Sequence, residues 1–323
     1  MLVRGSLLAT YFLSGLTLTG LIAEPLSIKV SPFVRQHRGI LVSEECSDVG
    51  CSRLTYPRAF LMHGMGLQMS AEGSPWGFSF SYATTDGSIR QADLTDTDVD
   101  HRDGPVKVEG PRIDLYKLHF RDTPYGYSGG HLWATAVSEL KTSEYSALLG
   151  IERTLFEHWS LQAELDHAYS IHDRKNATGS TESTGREPVW RTGYLPFFGT
   201  YTSSRLALRI GGRFDYRLAE QLSLRFSFLP SLGIFSAKDA RPESQRFYRS
   251  YTFGGGAWIA ADLVWHPSSR FDVTLGFFQH RLYTKGNGEF YGSSTYYMRV
   301  PTPGWSVNLK EGGWSFGISI HLL

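Results

Sequence analysis

An acidic run, Ala92–Asp93–Leu94–Thr95–Asp96–Thr97–Asp98–Val99–Asp100–His101, sets two carboxylates, Asp96 and Asp98, one residue apart. A carboxylate pair can hold a water for attack on a carbonyl, or bind a divalent cation weakly. The same run also reads as a plain solvated loop, and all three readings stay open at this stage. No Gly-rich phosphate loop, Walker motif, metal-spaced histidine cluster or G-x-S-x-G stands in the chain. No cofactor and no metal are therefore expected.

A second charged pattern is regular. Arg205, Arg209, Arg213 and Arg217 recur with Asp215 on one side of a stretch whose other side is Leu206, Leu208, Ile210, Phe214, Tyr216 and Leu218. That is the period of a β-strand with one apolar and one charged face. Glu164, Asp166 and Asp262 are available from similar stretches to balance the arginines. Arginine facing lipid at mid-membrane costs about 2–4 kcal/mol, so the ladder is expected to line a wet lumen.

The same alternation recurs along the chain. Trp159, Leu161, Ala163 and Leu165 oppose Ser160, Gln162 and Glu164, and Trp314, Phe316, Ile318 and Ile320 oppose Ser315, Gly317 and Ser319. Connections alternate too. Gly73–Ser74–Pro75, Phe156–Glu157–His158, Ala219–Glu220 and His266–Pro267–Ser268–Ser269 are tight. The stretches 43–57, 86–128, 173–190, 237–249 and 285–303 are long and polar. Short turns on one side and long loops on the other mark an outer-membrane barrel. A soluble barrel would place its apolar faces inside and need not alternate its loop lengths.

The expected fold class is therefore all-β, a closed antiparallel transmembrane β-barrel with short periplasmic turns and long extracellular loops. Ten strands are preferred: 26–42, 58–72, 76–86, 130–156, 158–172, 192–218, 221–236, 250–266, 270–285 and 304–323. Twelve result if 111–121 spans and Lys141–Thr142–Ser143–Glu144 is a turn.

Arg4 followed by the apolar run Leu7–Ala23 and then Glu24–Pro25 reads as a cleaved signal peptide over 1–23, leaving 24–323 as a single barrel domain. Localisation in the bacterial outer membrane follows. Outer-membrane lipid is the expected partner. The formal net charge of +1 offers nucleic acid nothing to bind. In an exported chain the two cysteines, Cys46 and Cys51, are expected to pair in a disulfide.

The loop pattern and strand lengths, strongest from Leu206 to Gly288, resemble the omptins, ten-stranded outer-membrane endopeptidases. The resemblance implies an Asp-x-Asp pair in the second long loop, matched by Asp96 and Asp98, and an Asp-x-His pair in the fourth. There Ser236–Ala237–Lys238–Asp239–Ala240–Arg241 supplies Asp239, but Arg241 stands where the histidine belongs. Arginine stays protonated and cannot take a proton from water. The resemblance also implies contact with lipopolysaccharide at the outer rim.

Three functions follow as expectations. The first is an omptin-like barrel with weak or absent endopeptidase activity, whose surface loops bind ligands. The second is an active omptin-type surface endopeptidase. The third is a small porin or channel, which Trp258 and Phe278 oppose by pointing inward in this register.

Overall fold

The computed structural model describes residues 25–47, 50–91, 93–100, 131–182, 190–241, 246–292 and 298–322. Twelve strands follow one another: β1 (Leu26–Ser47), β2 (Gly50–Ala71), β3 (Trp76–Thr84), β4 (Ile89–Arg90), β5 (Leu94–Asp100), β6 (His131–Phe156), β7 (Trp159–Glu182), β8 (Trp190–Ala219), β9 (Leu222–Arg241), β10 (Arg246–Ser268), β11 (Phe271–Gly292) and β12 (Met298–His321). Every pairing is antiparallel, and β1 pairs with both β2 and β12, which closes the ring. A closed ring leaves no unpaired edge.

The twelve strands fill ten wall positions. β3 and β5 both lie between β2 and β6, one below the other, and β4 adds a short pairing with β6 between them. Where this interrupted strand leaves β2, the side chain of Gln91 accepts from the Ala59 amide at 2.6 Å in place of a ladder bond. β6 runs unbroken from His131 to Phe156, so residues 141–144 are not a turn. Residues 111–121, and the signal peptide at 1–23, lie outside the described residues.

The outer face carries an exposed apolar band. Leu206, Leu208 and Ile210 on β8 and Phe226 and Phe228 on the neighbouring β9 are each 41–49% exposed. Phe156, Trp159, Trp265 and Phe271 ring the short-turn end. A continuous apolar band of this kind is what a lipid-facing wall presents and what a water-facing wall avoids. The short turns are tight: Ser74 donates to the Ala71 carbonyl at 3.1 Å, with Gly73 between them at φ 77°. A left-handed residue is needed there, and glycine adopts it without steric cost.

Four of the expected long loops are instead mostly strand. β1 and β2 continue to Ser47 and Gly50, β7 reaches Glu182, β9 reaches Arg241, and β11 and β12 extend to Gly292 and from Met298. Above the apolar band the outer face turns polar, as at Thr202 and Ser204, while the ladder continues. On β8 apolar alternation then vanishes although the strand does not.

Candidate functional site

The acidic candidates stand on different parts of the wall. Asp96 sits on β5 between Leu54 of β2 and Ala136 of β6, and Asp98 follows two residues on between Ser52 and Ala134. Asp239 sits on β9 between Tyr201 of β8 and Tyr248 of β10. Asp96 and Asp239 are buried at 5% and 4% exposure. The side chains of Asp98 and Arg241 lie outside the described residues.

Asp239 is engaged by a residue that sequence reasoning missed. Arg174 on β7 reaches over β8 and donates to both carboxylate oxygens of Asp239, through Nη1 to Oδ2 at 3.4 Å and through Nη2 to Oδ1. Its Nε also faces the Gly199 carbonyl at 3.5 Å. Gly199 is required: a Cβ there would stand 2.9 Å from Arg174 Nη2 and overlap the Ala240 carbonyl. A carboxylate held bidentately by arginine has its negative charge balanced by the guanidinium, which makes it a poorer acceptor for a proton from water.

No described histidine takes the base position. His172, fully buried, bonds Thr142 Oγ1 through Nδ1 at 2.9 Å and lies against the rings of Tyr56 and Tyr201, centroids 5.0 and 5.8 Å away. It stands above the apolar band of β7, where burial, and then the charge of Arg58, lower its pKa to about 3. His172 is thus neutral, and its Nδ1 is engaged by Thr142. His280 faces Glu311 at 3.3 Å and Arg205 at 3.5 Å. His101 lies outside the described residues.

Around these groups the upper lumen is packed. Leu41, Leu54, Tyr56, Leu94, Leu140, Tyr201, Phe235, Leu282, Trp305, Val307 and Leu309 form one buried cluster inside the ring. Below it lies a charged layer. Arg58 donates to Glu144 at 2.7 Å and to Glu311 at 2.9 Å, and Glu311 also meets His37 at 3.2 Å and Arg205 at 3.3 Å.

The arginine ladder occupies the next level down, as its register required. Arg205 pairs with Asp166 at 2.8 Å, Arg209 with Asp166 at 2.7 Å and Glu164 at 3.4 Å, and Arg213 with Glu152 and with Asp215 at 2.7 Å. Two members depart from expectation. Arg217 is exposed at the short turn and donates to the Glu220 carbonyl at 2.8 Å. Asp262 lines the lumen but makes no ion pair with the ladder, whose arginines are already taken by Glu152, Glu164, Asp166 and Asp215.

Trp258 and Phe278 do point inward, stacked at 4.7 Å with an interplanar angle of 6°, and Arg209 lies 4.3 Å from the Trp258 ring. Beneath them a polar cavity of about 590 Å³, lined by Arg35, Gln162, Arg213, Asp262 and others, opens toward the short-turn end. Among the described residues no group of three or more His, Cys, Asp or Glu is arranged to hold a metal. The β1–β2 register places Cys46 directly opposite Cys51.

The closed antiparallel ring, the exposed apolar band and the charge-lined interior define the fold of an outer-membrane β-barrel. No protein-family model and no curated protein matches the sequence. Among solved structures, the outer membrane protease OmpT from Escherichia coli shares this path: TM-score 0.69 at 13% identity, over 92% of this chain and 97% of that one. The omptin-like fold is therefore borne out, as fold alone. The translocator domain of autotransporter NalP from Neisseria meningitidis and the outer membrane protein OprG from Pseudomonas aeruginosa match at TM-scores of 0.35 and 0.33, each at 10% identity. They cover 98% and 91% of this chain, and 97% of each of those chains, but scores so low carry no argument.

Proposed function

We propose that this chain is a sealed barrel of the outer membrane, exported by a cleaved signal peptide over 1–23, whose outer rim binds ligands and does not cleave peptides. The observation that carries this reading is the buried Arg174–Asp239 pair set within a packed upper lumen. The rim carboxylate that a protease of this architecture would use is neutralised, and Arg241 replaces its histidine. The packed cluster leaves Asp96 and Asp239 facing side chains rather than a substrate groove.

The lipid-facing band and the extended outer strands suit a surface scaffold, with outer-membrane lipid around the band and lipopolysaccharide as a partner at the rim. The stacked Trp258 and Phe278 and the crossing arginine–carboxylate pairs oppose a pore. The test is cleavage of quenched dibasic peptides by purified protein reconstituted with lipopolysaccharide, with Asp96→Asn and Asp98→Asn as controls. No cleavage dependent on either aspartate is expected. Rapid cleavage lost on Asp96→Asn would restore the endopeptidase reading.

A further inference from the structure

At the opposite end of the barrel, three strands bring together a serine, a histidine and an aspartate. Ser223 on β9 stands in register with Val264 of β10, and Trp265 of β10 pairs with Val273 of β11. His266 comes two residues after Val264 and so shares its inward face, next to Ser223 on one side and Asp272 on the other. The β10–β11 register shifts between Trp265 and Ser268, and the His266 amide donates to the Gln221 carbonyl at 2.8 Å. The imidazole is thereby fixed over Ser223.

The resulting contacts have a direction. His266 Nδ1 lies 2.7 Å from Asp272 Oδ1, and His266 Nε2 lies 2.7 Å from Ser223 Oγ. An ionised carboxylate only accepts, so Nδ1 carries the proton and Nε2 is left as acceptor for the serine hydroxyl. The other oxygen of Asp272 accepts from Lys29 Nζ at 2.8 Å and faces His321 Nε2 at 2.9 Å. These hold the carboxylate ionised and oriented. Asp272 is buried, whereas the His266 side chain is 38% exposed, so the reacting end of the chain faces solvent.

Arg225, two residues along the same face from Ser223, is held at Nε by Asp215 at 2.9 Å. Its positive charge therefore stands one inward position above the serine on β9. Val264, the register partner of Ser223, and Asp272, the partner of His266, line a cavity of about 240 Å³ together with Lys29 and Arg225, room for a short acyl group.

We propose that Ser223, His266 and Asp272 form a nucleophilic triad at the short-turn mouth that hydrolyses short carboxylic esters entering from that side. Ser223 Oγ attacks the ester carbonyl as His266 Nε2 takes its proton. The tetrahedral adduct collapses, the C–O bond to the alcohol breaks, and the imidazolium returns the proton to the leaving oxygen. Water, deprotonated by His266, then cleaves the acyl-serine to the free acid and regenerates the hydroxyl. The balance requires ester and water alone.

The experiment uses the full-length protein, folded in detergent, with folding verified by heat-modifiable migration. It is treated with a fluorophosphonate, and separately with p-nitrophenyl acetate and butyrate. The expected results are a phosphonyl adduct located on Ser223 by peptide mass spectrometry, and ester hydrolysis that falls by about 10²-fold or more in Ser223→Ala and His266→Ala. Asp272→Asn, which keeps shape but reverses the tautomer preference of His266, should lose hydrolysis while remaining folded. A wild-type barrel without a Ser223 adduct, or hydrolysis unchanged in folded Ser223→Ala, would reduce the three residues to a structural hydrogen-bond chain and overturn the proposal.

Discussion

The guanidinium of Arg174 on β7 reaches past β8 to grip the carboxylate of Asp239 on β9 through both oxygens. Both side chains are almost wholly buried, at 0% and 3% exposure. Removing one member of such a pair strands a charge in a dry interior, which costs about 3–5 kcal/mol, whereas replacing both with apolar groups is far milder. Arg174→Leu should therefore lower the urea midpoint of the folded barrel more than the double variant Arg174→Leu/Asp239→Leu. Equal losses in the two variants would show that the pair is not coupled.

The arginine ladder predicts a gradient of cost along β8. Arg209 is buried against Asp166 and Glu164, so Arg209→Ala should destabilise by about 3–5 kcal/mol. Arg217 is exposed and bonds only the Glu220 carbonyl, so Arg217→Ala should stay within about 0.5 kcal/mol of wild type. Tryptophan-monitored urea unfolding in vesicles measures both.

His172 carries a pH signature. Its folded-state pKa, about 3, lies below the ordinary 6.5 because burial and Arg58 disfavour the imidazolium. The unfolded chain binds the proton that the folded barrel refuses, so the contribution is complete above pH 6.5 and is lost as pH falls from there toward 3. Unfolding midpoints of His172→Gln should fall less steeply than wild type across this window. Parallel curves would place the acid sensitivity elsewhere.

Much of the wall was legible because lipid-facing strands alternate. Leu206–Leu218, the inward arginines and the inward Trp258 and Phe278 all follow from a period of two and a lipid boundary. The upper strands were not, since a polar outer face such as Thr202 and Ser204 removes the contrast that marks a strand. Arg174 fell inside an apparent loop for that reason. Arg58, Glu144 and Glu311 lie far apart in sequence and meet only through barrel closure. Ser223, His266 and Asp272 likewise belong to three strands, and nothing but register joins them.

The opposed positions of Cys46 and Cys51 at the β1–β2 tip lead to a covalent prediction. An oxidising compartment should close them into a disulfide. Intact mass spectrometry of alkylated, non-reduced protein should find no added label. Because the bond would close a hairpin already held by its ladder, Cys46→Ser/Cys51→Ser should shift the unfolding midpoint little.

The most direct test of the sealed lumen is single-channel recording of the folded protein in a planar bilayer. The packed cluster around Tyr56 and Tyr201, the Arg58–Glu144–Glu311 layer and the Trp258–Phe278 stack stand one above another in the lumen. Insertion is therefore predicted to produce no resolvable conductance step. Stable, ohmic steps from heat-modifiable, folded wild-type protein would contradict the closed interior and the account built on it.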